Sequence, residues 1–184
     1  MKIEVPEFLV EMSRQLNEQN NRMTADPMFE VRYKSYLVTE EGYNESHWEI
    51  ICDSGYTLYH SEKSESFDDL ASYLYQNESD WCESWLEDNG YGSVSVHELQ
   101  FTDLFNDHFN PQLDELPSEL KKLHMQEVEV TVNSHFTEVD AQAFIDRKQH
   151  SYPKLYIYAT SLCYCWNMIE LRNWIKNLNA QTKK

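Results

Sequence analysis

From Ser64 to Leu120 the chain carries 14 Asp or Glu and not one Lys or Arg. A segment of this kind cannot steady its helices with i, i+4 ion pairs, because it has no cations to offer. Nor can it bury carboxylates, which need a partner once they leave water. The plain reading is a solvated acidic face whose apolar residues enter the core; exposed Trp81 or Trp85 would instead favour a binding surface. The apolar residues recur at helical spacing: Leu70, Tyr73, Leu74, Trp81 and Trp85. The pattern predicts an acidic helical region beginning at Ser66, where Ser66 and Asp69 have capping-box spacing and Asp68 and Asp69 suit a helix N-terminus. A break is expected at Asn77-Glu78-Ser79. A second short helix would follow, capped by Asp80 and Glu83 and closed by Asn89-Gly90.

The flanks carry a different balance. Residues 1–63 hold 12 acids and 6 bases, and residues 121–184 hold 6 acids and 9 bases, so the net charge of −17 is concentrated in the middle. Crowded like charge works against compactness and favours solubility or a basic partner. Direct binding to free nucleic acid or to an anionic membrane is therefore disfavoured as the main activity. No apolar run approaches the ~20 residues a spanning helix needs. The N-terminal stretch is too polar and acidic for a signal peptide, so a cytoplasmic location is expected.

Outside the acidic segment the periodicities alternate between helix and strand. Pro6 to about Met23 reads as a helix with Phe8, Leu9, Met12 and Leu16 on its apolar face. FEVRYKSYLV, HWEIIC and YTLYH read as a three-stranded antiparallel meander, with a hairpin loop at Asp53-Ser54-Gly55. VSVHELQF is expected as a strand and SELKKL as a short helix after an irregular stretch from Thr102. EVEVTV alternates Val128, Val130 and Val132 against Glu127, Glu129 and Thr131. A helix is then expected from Phe136-Thr137, with Asp140 at its third position and Phe144 and Ile145 on the apolar face. LYIYA follows as a strand. A last helix is capped by Asn167 and Glu170, with Met168, Leu171, Ile175 and Leu178 inward. The expected fold is α+β, an antiparallel sheet with helices packed on one side. Residues 1–24 would form a helical appendage and residues 25–184 a body of one or two lobes meeting near 102–123.

Catalytic signatures are few. With four glycines, neither a phosphate-binding loop nor a dinucleotide turn can be written. The four cysteines read as reduced thiols, and a single C-x-C without a second pair does not make a zinc set. No metal ligand and no cofactor are assigned. Asp114 with Glu119-Leu120-Lys121 has the acid…E-x-K order of metal-dependent nucleases, but that chemistry wants the motif on a strand and a short helix is expected here. Asp103, Asp107 and His108 can be drawn as a metal cluster, although such proximity is ordinary in so acidic a loop.

The stretch NSHFTEVDAQAFIDRKQHSYPKLYIYATSLCYCWNMIELRNWI carries a helix start of the form HFT…A..FI, a link H.Y..P..Y into a strand, and a tryptophan-containing helix ending near LR. It resembles the ending of small acidic proteins found in tailed-phage and prophage genomes, and TADPMFEVR is similar to that group's usual beginning. The likeness covers residues 24–38 and 127–176. Where the group has a small-aromatic-arginine element, this chain has Cys163-Tyr164-Cys165-Trp166. The resemblance implies an accessory protein of phage or prophage origin, a class that often acts on host defences. It brings no catalytic residues with it.

Charge and resemblance together lead to one functional expectation: a non-enzymatic anti-CRISPR or anti-restriction inhibitor that mimics DNA. Its partner would be a nucleic-acid-binding protein or nuclease complex of the bacterial host. With Asp68 to Asp88 largely helical, the stretch would span about 30 Å and its seven carboxylates would fall roughly 4–5 Å apart, near the ~3.4 Å phosphate spacing of a DNA strand. The candidate contact residues are Asp68, Asp69, Glu78, Asp80, Trp81, Glu83, Trp85, Glu87, Asp88, Asp114 and Glu115. The alternatives are a regulatory or structural interaction module, acting through the N-terminal helix or the more basic C-terminal third, and, further off, a metal-dependent nuclease. No oligomeric state follows from the sequence.

Overall fold

A computed structural model describes residues 5–92 and 96–178. The described elements run α1 (Glu7–Glu18), β1 (Pro27–Thr39), β2 (His47–Cys52), β3 (Thr57–His60), α2 (Asp68–Asn77), α3 (Ser79–Asp88), α4 (Glu98–His108), β4 (Leu120–His135), α5 (Glu138–Lys148), β5 (Tyr156–Ser161) and α6 (Trp166–Lys176). The fold is α+β: one five-stranded antiparallel sheet, ordered β3-β2-β4-β1-β5, with helices on one side. The chain divides into two compact units, one comprising the residues up to Ser35 and from Val128 on, the other Tyr36–Glu127.

In the Tyr36–Glu127 unit, β2 pairs with β3 through the predicted hairpin, and Gly55 takes the positive φ of 83° that its turn requires. Alternation along β2 sends Trp48, Ile50 and Cys52 toward α2, α3 and α4, where they meet Leu70, Leu74, Trp85, Leu86, Phe101 and Phe105. The core is markedly aromatic. Phe105 lies between Trp85 at 5.2 Å and Phe109 at 4.3 Å, ring centre to ring centre.

The other unit has two apolar clusters. Phe29 and Val31 of β1 pack with Ala141 of α5 and Leu155, while Leu16 of α1 meets Ile175 and Leu178 at the end of α6. Ser13 and Asn17 of α1 both donate to the Lys176 carbonyl, at 3.0 and 2.9 Å. Arg172 is 1% exposed, and its guanidinium bridges Asp26 and Asn21 at 3.1 Å each. Thr137 caps α5, its hydroxyl accepting the Asp140 amide, as expected.

Several expectations are corrected. β1, β2 and β3 do not form a meander, because β4 pairs with β2 across His47↔Met125 to Cys52↔Leu120 and lies between β2 and β1. Alternation tells a strand which face is apolar but not which strand is its neighbour. SELKKL is not a helix: Leu120 onward belongs to β4, since pairing to β2 outweighs the helical preference of Glu, Leu and Lys. The strand expected over 94–101 is overturned at its C-terminal end, where Glu98–Gln100 open α4 and Phe101 and Phe105 share one helix face. Residues 94 and 95 of that expectation lie outside the described residues. The N-terminal helix stops at Glu18 rather than near Met23. Ser66 with Asp69, Asp80 with Glu83, and Asn167 with Glu170 do not cap their helices. Leu171 is 43% exposed while Arg172 beside it is buried, so the inward face of α6 is rotated from the expected one.

Candidate functional site

The acidic segment folds as its pattern demands. On α3, Trp81, Cys82, Trp85 and Leu86 enter the aromatic core, while Asp80, Glu83, Ser84, Glu87 and Asp88 are exposed. The exposed set follows i, i+3, i+4, i+7, i+8, one helical face. On α2, Leu70, Ala71 and Leu74 point inward and Asp68 and Asp69 outward. The N-terminus of α2 is held from α4: the Asn106 side chain accepts the Phe67 amide at 2.7 Å and donates to Asp68 at 2.7 Å. That cross-helix contact takes the place of the expected capping box.

No carboxylate between 64 and 120 has an ion pair with Lys, Arg or His among the described residues. The two lysines that follow the segment are engaged elsewhere, Lys121 with Asp53 at 3.4 Å and Lys122 with the Pro111 carbonyl at 3.2 Å. Glu78 sits half-buried between α2 and α3. Burial, and then the charge of Glu119, raise its carboxyl above the ordinary value.

The eleven candidate residues do not form one row. Glu78 has φ −127° and ψ 54°, which ends α2 and redirects the chain into α3. The single 30 Å rod with evenly spaced charge is therefore replaced by two short helices of ten residues each. Trp85 is 5% exposed and belongs to the core, and Trp81 is half-buried at its rim. Neither ring is a free anchor on the surface.

What the fold does assemble is a cleft of about 380 Å³ between α3 and the 113–115 segment, lined by Trp81, Ser84, Trp85, Asp88, Asn89, Leu113, Asp114 and Glu115. Both indoles pin that segment: Trp81 donates to the Glu115 carbonyl at 3.1 Å and Trp85 to the Asp114 carboxylate at 3.4 Å. Asp114 also accepts the Asn110 amide at 2.8 Å. Five candidates thus meet in one place: Trp81, Trp85, Asp88, Asp114 and Glu115. Asp80, Glu83 and Glu87 extend the acidic surface along α3, whereas Asp68 and Asp69 stand apart at the start of α2.

The nuclease constellation changes footing. Glu119-Leu120-Lys121 enters a strand, as that chemistry prefers, so the expected helix no longer argues against it. Its members are engaged separately: Asp114 with Asn110 and Trp85, Lys121 with Asp53, and Glu119 with the Ser118 hydroxyl at 2.9 Å. Asp103, Asp107 and His108 do not converge either, and His108 is engaged with the Tyr91 hydroxyl at 2.5 Å. One His/Glu group does converge among the described residues, namely His47, Glu49 and His60. The sequence reading passed over it. The signal was present as His-x-Glu on one face of β2, but the third member arrives only through hairpin register.

No protein-family model, no curated protein and no solved structure matches this chain.

Proposed function

We propose that the protein is a non-enzymatic inhibitor whose acidic α3 face and adjoining cleft dock on a basic, nucleic-acid-handling surface of a bacterial defence complex. The observation that carries this reading is the uncompensated carboxylate face. Asp80, Glu83, Glu87 and Asp88 are exposed, unpaired and mounted on a helix anchored by two indoles. Anchoring the helix fixes the backbone that carries the charge, so only the carboxylate side chains have to order on binding, and their field speeds encounter with a cationic groove. Because α2 and α3 break at Glu78, the mimicry is of a local cluster of phosphates rather than of one straight strand. The likeness to phage accessory proteins makes a nuclease or CRISPR effector of the host the partner class to test.

The test is affinity capture from a lysate containing restriction and CRISPR complexes, using wild type and Asp80→Asn/Glu83→Gln/Glu87→Gln/Asp88→Asn. Capture of a nucleic-acid-binding complex by wild type alone, competed by duplex DNA, supports the reading. Equal capture by both proteins removes the α3 face from it.

A second reading rests on the other unit, where Tyr164, Trp166 and Trp174 are 82%, 67% and 53% exposed. Apolar rings left in water are a feature of interaction surfaces. They favour an interaction module acting through α6. Loss of capture in Trp166→Ala/Trp174→Ala, with capture retained in the α3 variant, selects this reading.

A further inference from the structure

We infer that His47, Glu49 and His60 form a binding site for a divalent transition-metal ion of the Zn²⁺ class, independent of the acidic helical face. Hairpin register assembles it: Glu49 lies directly opposite His60, and His47 precedes Glu49 by two residues on the same face of β2. This is the sheet face opposite that of Trp48 and Ile50. A face turned away from the helices normally carries exposed polar side chains, yet His47 is 3% and His60 6% exposed.

The donor atoms converge. His47 Nε2 and His60 Nε2 stand 3.1 and 3.6 Å from the same oxygen, Glu49 Oε1. Bonds of ~2.0–2.1 Å in a tetrahedral site separate ligand atoms by roughly 3.3 Å, between those two distances. Two imidazoles and a carboxylate suit Zn²⁺ and its first-row neighbours.

The surrounding hydrogen bonds orient the ligands. Ser46 donates its hydroxyl proton to the Met125 carbonyl at 2.9 Å, so toward His47 Nδ1, at 3.0 Å, its oxygen is an acceptor. That leaves the Nε2 lone pair of neutral His47 facing the Glu49 carboxylate, an arrangement that calls for a positive species. Thr57 donates to the other carboxylate oxygen of Glu49 at 3.2 Å, which leaves Oε1 as the ligand atom. His60 Nε2 is buried with no hydrogen-bond partner.

One movement is required. The two imidazoles stack with centres 4.2 Å apart and planes 5° from parallel, so their Nε2 atoms cannot both point at one ion as they stand. His60 is the ring that turns. Its Nδ1 accepts the Glu62 amide at 3.2 Å, which places the proton of neutral His60 on Nε2, so ligation takes both a turn of the ring and transfer of that proton to Nδ1, in a turn where Glu62 is exposed and water can replace the contact.

The experiment titrates Zn²⁺ alone into the metal-stripped full chain near neutral pH, by calorimetry, with imidazole ¹⁵N spectra recorded alongside. The expected result is saturable one-to-one binding that shifts Nε2 of His47 and His60. Co²⁺ substitution should give the visible bands of a low-coordinate site. His60→Gln should abolish binding, Thr57→Val should weaken it about tenfold, and Cys163→Ser/Cys165→Ser should leave it unchanged. Because the ring spectra are read on the wild type, a misfolded variant does not blunt the test. Absence of saturable binding, dependence on the cysteine pair, or ring shifts that follow pH but not Zn²⁺ would each overturn the inference, the last assigning the site to a proton.

Discussion

The two units solve the problem of charge in opposite ways. Tyr36–Glu127 holds 21 acids against three bases, a net −18, while the remainder holds 11 acids against 12 bases, a net +1. In the near-neutral unit, charge is used structurally: Arg172 is buried against Asp26, and Arg32 is paired with both Glu30 and Glu129 while lying over the Tyr158 ring at 3.9 Å. In the acidic unit the carboxylates of α2 and α3 are kept outside and a block of aromatic rings does the holding. Ion pairs tie charge to a partner within the fold. Rings leave it free for a partner outside, and that freedom is the basis of the proposed function.

If this contrast is right, the most damaging single change in each unit differs in kind. Trp85→Ala removes a 5%-exposed ring that touches Trp81, Phe101 and Phe105. It should cost about 4 kcal/mol by urea denaturation. Arg172→Ala strands Asp26, whose side chain is 27% exposed and can be rehydrated in part, so its loss should be smaller, about 2–3 kcal/mol. A larger loss for Arg172→Ala than for Trp85→Ala would break the comparison.

The sequence displayed much of this division and concealed a definite part of it. Helix periodicity located α2, α3 and the break at Glu78, because each helix buries one face. Strand alternation found β1, β2, β4 and β5 for the same reason. Long-range pairing was hidden. Nothing local in LKKLHM indicates that it pairs with β2, and that pairing turned an expected helix into a strand. The candidate site was legible as charge but not as shape: Asp88, Asp114 and Glu115 meet through indole hydrogen bonds made across 29 and 34 residues. The histidine site was concealed for the same reason, since His60 reaches Glu49 only through the hairpin.

Exposed charge gives a subtler test. Glu83 lies three residues after Asp80 and four before Glu87, so on α3 it has two like-charged neighbours and no cation. Glu83→Gln should stabilise the protein by about 0.5 kcal/mol at low salt, and the gain should fade as salt screens the repulsion. A loss of stability would mean that Glu83 has a favourable partner, and the account of α3 as an unpaired face would fail.

The smallest effects should differ in sign between the units as pH is varied. Glu11 on α1 is held down to about 2, first by its hydrogen bond from Arg14 and then by one from Gln15. A lowered carboxyl contributes stability above its unfolded value of 4.5, and that contribution is lost as pH falls toward about 2. Glu11→Gln should therefore be the less stable protein at neutral pH, and the gap should close across that acid window. Glu78 is the reverse case: burial and Glu119 raise it, so folding favours its protonated form. Its stabilising contribution is complete below 4.5 and disappears as pH rises through the folded value. Glu78→Gln should therefore be the more stable protein at neutral pH, by a margin that shrinks on acidification. Paired urea titrations of both variants and wild type across this range measure the two slopes. Opposite slopes agree with one unit that pairs its carboxylates and another that crowds them. Slopes of the same sign would show that Glu78 has found a cation the fold does not supply.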